Sequence, residues 1–159
     1  MQENFYDIAS AKDRFSVELL RDALLPELLG KDDNILYWAG KRLARIFPLA
    51  KDEDIPVFFE QAGWGTLRRT KAKRSSQYFE LSGEPVDLRR QLNSAADFLL
   101  EAGFLAETVQ LQLGFVTEAI IEKQTKDAVV ILVQVDLKDP VDFEEYEQAE
   151  TTPLRLSGE

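Results

Sequence analysis

Between Leu88 and Leu113 the chain carries apolar residues on two sides of a helical period. Leu92, Ala95, Ala96, Leu99, Gly103, Ala106, Val109 and Leu113 form one stripe, and Leu100, Phe104 and Leu111 form a second. A helix that is apolar on two sides must be covered on both, so the remaining residues have to supply a layer above it and a layer below. Its small residues, Ala95, Ala96, Ala102, Gly103 and Ala106, predict that another backbone approaches closely. Asp97, Glu101 and Glu107 interrupt the stripe and argue against a membrane span.

The flanking segments fit that requirement. Ser16 is placed to cap the helix "VELLRDALL", in which Leu20, Leu24 and Leu28 fall four apart on one face before Gly30. Asp32 or Asp33 caps a second helix, "NILYWAGKRLARIF", which Pro48 ends. Asp54 and Pro56 open a third, where Ile55, Phe58, Phe59 and Ala62 keep helical spacing and Gly63 suits the C-terminal cap. At Trp64 the period changes to that of a hairpin: "WGTLRRTKA", a turn near "KRSSQ", then "YFEL". After the long helix, residues 115–123 alternate, "KQTKD" turns, and the β-branched run "AVVILVQVDL" reads as a buried strand. Helices segregate from antiparallel strands, so the expected class is α+β: two layers, with helices on a small sheet of about four strands. Residues 1–138 form one domain, followed by an acidic tail, 139–159. Residues 139–150 hold six acids and no base and are expected to fray.

Two missing residue types restrict the chemistry. The chain has no Cys and no His. Disulfides, thiolate nucleophiles, Ser-His-Asp catalysis, a Cys- or His-ligated zinc and a haem on a proximal histidine are all excluded. No cofactor is expected, and a non-enzyme is favoured. The net charge is −10, yet residues 68–74 carry five of the 19 basic groups and no acid. An acidic surface repels phosphate backbones, so nucleic acid is not an expected partner. The N-terminus has no apolar run preceded by basic residues, and a cytoplasmic protein is expected.

Several strings, "LLPELLG", "ILYWAGKRLARIFPL", "FFEQAGWGTL", "LEAGFLAE" and "LKDPV", resemble the YslB-like family of Gram-positive bacteria over roughly residues 17–141. More distantly, the layout is similar to the vinyl-reductase domain, a fold shared with subunits of the transport-protein-particle trafficking complexes and with haem nitric-oxide-binding domains. That resemblance implies helices and a small antiparallel sheet around an apolar pocket, with helices pairing subunits in a homodimer or larger complex. The histidine, the acylated cysteine and the terminal cysteines of those relatives have no counterpart here, where "VQVDLKDP" stands near the end of the fold. Their ligand chemistries therefore do not transfer.

Four candidate sites follow. Trp64, in "GWG", either packs the corner between helix and strand or, with Tyr37, Trp38 and Phe104, borders a pocket for a planar or acyl ligand. Arg42 and Arg45 would then grip an acidic head group at its mouth. In the basic strand, alternation puts Arg69, Lys71 and Lys73 on one face and leaves Thr66, Thr70 and Ala72 to pack under a helix. The basic face either pairs with the protein's own Glu80, Glu118 and Glu122 or meets an acidic partner. The acids of the long helix are Asp97, Glu101 and Glu107, of which Asp97 and Glu101, four apart, share a face; all three are expected to be solvated or ion-paired, and no metal site is expected.

Overall fold

The computed structural model describes residues 4–32, 34–143 and 152–158. Helices α1 (Phe5–Ala11) and α2 (Phe15–Glu18) lead into a π-helical turn (Leu19–Leu24) and α3 (Leu25–Leu29). Then come α4 (Asn34–Ile46), α5 (Asp54–Gln61), β1 (Thr66–Ala72), β2 (Ser76–Ser82), α6 (Glu84–Leu92), α7 (Leu99–Leu113), β3 (Phe115–Gln124) and β4 (Ala128–Pro140). The class is α+β, an open antiparallel sheet of order β1-β2-β4-β3 with the helices packed on it.

The β-branched run of β4 lies in the sheet interior, as its composition requires. Val129, Ile131 and Val133 are buried on one face beside Leu81 and Phe79 of β2 and Ala119 of β3. Helix α7 covers that face, and α4 lies on α7. The crossing is tight because glycines meet it from both sides. A Cβ on Gly40 would run into the Leu100 carbonyl oxygen, and one on Gly103 into that of Tyr37. The close backbone approach expected from Gly103 and Ala106 is therefore made by α4.

The expected helix from Leu88 to Leu113 is broken. Residues 93–98 leave it, with Asn93 Oδ1 accepting from Ala95 N at 3.0 Å and Asp97 Oδ1 from Leu99 N at 3.1 Å. Such local side-chain-to-backbone bonds compete with helix continuation, and they turn the chain between α6 and α7. Upstream, Ser16 lies within α2 rather than capping it, since the helix begins at Phe15.

The corner at "AGWG" folds as its glycines suggest. Gly63 and Gly65 both have positive φ, 73° and 134°, which L side chains rarely adopt. Trp64 sits edge-on to Phe59 and Phe104 at centroid distances of 5.0 and 5.4 Å, while Phe58 stacks on Phe104 at 4.5 Å. The expected tail boundary at residue 138 falls within β4. Residues 152–158 run back along the start of α5: Leu154 N donates to Pro48 O at 2.7 Å, and Leu156 N and Ser157 N donate to Asp54 Oδ1 at 2.8 Å each. The acidic stretch 144–150, expected to fray, lies outside the described residues.

Candidate functional site

The helical segment from Phe15 to Leu29 turns its charges inward. Glu18, Arg21 and Asp22 are buried, whereas Leu20, Leu24 and Leu28 are 58%, 44% and 70% exposed. The leucine row, periodic enough to be taken for a core face, is the outer face. Burying isolated charges is costly unless they are paired, and here they are. Arg21 makes a bidentate pair with Glu101 of α7 at 2.8 and 2.9 Å. Arg89 of α6 bonds Asp22 at 2.9 Å and the Asp97 carbonyl at 2.7 Å, its guanidinium 4.9 Å from the Phe98 ring. Arg14 closes the row by donating to Glu18 Oε1 and to the Gly63 carbonyl, each at 2.7 Å. The wide π turn carries Arg21 and Asp22, the two residues that reach α7 and α6.

The pairing is incomplete. Among the described residues, Arg21 Nε is buried with no acceptor, and Glu18 Oε2 has no donor while it and Asp22 are both ionised. Burial, aided by the neighbouring Asp22 carboxyl and opposed by Arg14, pushes the Glu18 carboxyl up to about 7. Burial acts on Asp22 in the same sense, but hydrogen bonds with Glu18 and Arg89 and the charges of Arg89 and Arg21 outweigh it and hold Asp22 below its ordinary value. The two carboxyls thus titrate apart, as adjacent acids do when only one can readily ionise.

An open groove and a smaller, more enclosed cavity flank this layer. The groove, of about 410 Å³, is walled by Val17, Leu20, Leu25, Trp64 and Leu100, and Arg14, Glu18, Arg21 and Arg89 also line it. The cavity, about 170 Å³, shares Arg21, Asp22 and Arg89 and opens toward Pro26, Asn93 and Asp97.

The six residues expected around a pocket separate into four places. Trp64 lines the groove of about 410 Å³. Phe104 is fully buried in the aromatic core. Trp38, Arg42 and Arg45 share an open groove of about 580 Å³ with Lys41, Glu107 and Glu118. Tyr37 ties α4 to β3: its hydroxyl donates to Glu118 and accepts from Ala119 N at 3.0 Å. Burial, then the bond to the Glu118 carboxylate, pushes this phenol above its ordinary value. Lys41 Nζ bonds Glu118 at 2.7 Å and lies 4.9 Å from the Trp38 ring, and Arg45 pairs with Glu107 at 2.8 Å.

The basic strand finds other partners than alternation suggests. Sheet order puts β1 and β3 on opposite edges, so Glu118 and Glu122 lie out of its reach. Arg68 stands opposite Glu80 and pairs with it at 2.7 Å, while Arg69 reaches Asp52 at 2.8 Å. A bulge between Arg69 and Lys71 breaks the shared face. Lys71 lies 5.8 Å from the Tyr78 ring, and Lys73 begins the exposed turn to β2. Thr66 and Thr70 are exposed and Leu67 is the buried residue of β1, because the core lies on the side of Leu67.

Arg14, Glu18, Arg21, Asp22 and Arg89 escaped the sequence reading. Their signal was present as acid, base, acid at Glu18, Arg21 and Asp22, one helical face, but the leucine row on the same helix has equal periodicity. Acids within the apolar α7 were the other half of it: Glu101 and Glu107 are both buried and ion-paired.

A Bacillus subtilis (strain 168) protein, "Uncharacterized protein YslB", is 45% identical over 129 residues, covering 80% of this chain and 87% of that protein. Residues 14–134 match the family described as "Protein of unknown function (DUF2507)", a span from Arg14 through the whole charged layer to the middle of β4, and the chain belongs to that family.

Proposed function

We propose that the protein is a non-enzymatic cytoplasmic binding module that holds a small, mainly apolar molecule and works as a homodimer. The observation that carries this is the open, apolar-walled groove of about 410 Å³ lined by Val17, Leu20 and Trp64. Ligand sites of this kind are concave, mostly apolar and furnished with a few polar groups. The outward face of the same helix supports the pairing. Val17, Leu20, Leu24 and Leu28 form an exposed row about 16 Å long at 1.5 Å per residue, with Asp13 before it and Lys31 after it. An antiparallel second copy would set each Asp13 near the other Lys31, so the surface complements itself. No helix among the described residues is long and apolar enough to cross a membrane.

Native mass spectrometry and light scattering test both parts. The expected result is a dimer that retains a small molecule, and that becomes a folded monomer on L24E/L28E substitution. A monomeric protein with nothing bound, before or after offering apolar ligands, would overturn the reading. An adaptor without a ligand is the second reading, favoured by the exposed β1 edge with Lys71 and Lys73. Charge reversal at Arg69, Lys71 and Lys73 that leaves the fold intact but abolishes a partner's capture would select it.

A further inference from the structure

Resting on the readings of the 410 Å³ groove as a binding site and of the leucine row as a dimer face, we infer that the two are one composite site: the second copy roofs the groove with its Leu24 and Leu28, and an apolar ligand is held between the copies. The groove alone is open. Leu100 is buried and Leu25 and Trp64 are half-buried, which makes them its floor, while Ser16, Val17 and Leu20 are exposed and form its rim. Sites for small molecules usually bury most of the ligand's surface, and a molecule on this floor keeps one side in water. Val17 and Leu20 are also the first two members of the exposed row that Leu24 and Leu28 continue. Whatever covers the row therefore overhangs the groove.

The charges at the ends of the row select a second copy as the cover. Lys12 and Asp13 precede it, Lys31 and Asp32 follow it, and all four are exposed. An antiparallel pair that sets Asp13 opposite the other copy's Lys31 also sets Lys12 opposite its Asp32, and symmetry repeats both pairings at the far end. Lys12 reaches Glu84 of its own chain at 3.1 Å, an exposed contact that leaves it able to turn to a partner. Glu27, the other exposed charge of the segment among the described residues, falls opposite Val17 and meets no acid there. The same register places Leu24 opposite Leu20 and Leu28 opposite Ser16, beside Val17. Those three are the groove's rim. Neither Leu24 nor Leu28 lines the groove of its own chain, so any part they play in binding is played on the other copy. Coupling of this kind is reciprocal: a ligand held better by the dimer strengthens the dimer.

Nile red, a neutral apolar dye that fluoresces out of water, tests this on the full chain. It is titrated at protein concentrations spanning the change from monomer to dimer, which light scattering follows. The dimer should bind the dye about tenfold or more tightly than the monomer, and saturating dye should strengthen dimerisation by that factor for each dye bound. Leu28→Glu, shown to be folded by circular dichroism, should be monomeric and lose about tenfold or more in dye affinity. Leu25→Trp, which fills the floor, should lose the dye while the chain still dimerises. Equal or weaker dye affinity in the dimer would sink the composite site and leave the groove and the dimer standing. Dye binding that survives Leu25→Trp in a folded chain would place the dye elsewhere and overturn the inference. A chain monomeric at every concentration, or a dimer that takes up no dye, would sink the readings on which the inference rests.

Discussion

At the scale of single residues, the consequences follow from three arginines that each hold a carboxylate away from water. Arg89→Met leaves Asp22 buried without its bidentate partner, and removing one member of a buried pair costs about 3–5 kcal/mol. Urea denaturation should show a loss of that size. Arg68→Met, at an exposed pair on β1, should cost at most about 1 kcal/mol in the same assay. Glu18 carries the pH dependence. Its folded value, about 7, lies above the ordinary 4.5, so the stability it contributes is fully present below 4.5 and is lost as pH rises through 7. Glu18→Gln should therefore narrow the stability difference between mildly acid and mildly alkaline solution, measured by denaturation across that window.

Among elements, the crossing of α4 on α7 has the least tolerance. The Tyr37 carbonyl that a Cβ at position 103 would strike is backbone and has no rotamer to change. Gly103→Ala should lower stability by roughly 1–3 kcal/mol or more, with Tm falling accordingly, although alanine favours helices. Gly103 and its small neighbours announced this crossing in the sequence, because a close approach needs the same small residues wherever it occurs. The strands were equally legible, since β-branched runs and turn residues act locally. The orientation of the segment from Phe15 to Leu29 was not. Val17, Leu20, Leu24 and Leu28 make one periodic face and Glu18, Arg21 and Asp22 another. Which one turns inward depends on Arg89 and Glu101, some 67 to 80 residues away. Periodicity measures a difference between faces and carries no sign. The break at residues 93–98 was hidden similarly, because Asn93 and Asp97 fit a helical period while their side chains bond the backbone outside it.

For the molecule as a whole, Asp54 joins the start of α5 to residues 152–158. It accepts from Lys51 N, Leu156 N, Ser157 N and the Ser157 hydroxyl. Burial works to raise its carboxyl, but the Leu156 amide, the Ser157 hydroxyl and amide and the Lys51 amide outweigh it and hold the group below the ordinary Asp value. Stability from this anchor is therefore present above the ordinary Asp range and is lost as pH falls through the lowered value. In Asp54→Asn, hydrogen exchange at the Leu154 and Leu156 amides should accelerate while the β4 amides stay protected. The inward charges have a further consequence, for the order of folding. Early collapse favours whichever face is most apolar, and on this helix that is the outer one. Its native docking requires stripping water from paired ions before their attraction is realised, a late event with little share in the transition state. Loss of Arg89 or Glu101 should then quicken unfolding and leave the refolding rate nearly untouched, so the charged layer governs how long the native state lasts rather than how fast it is reached.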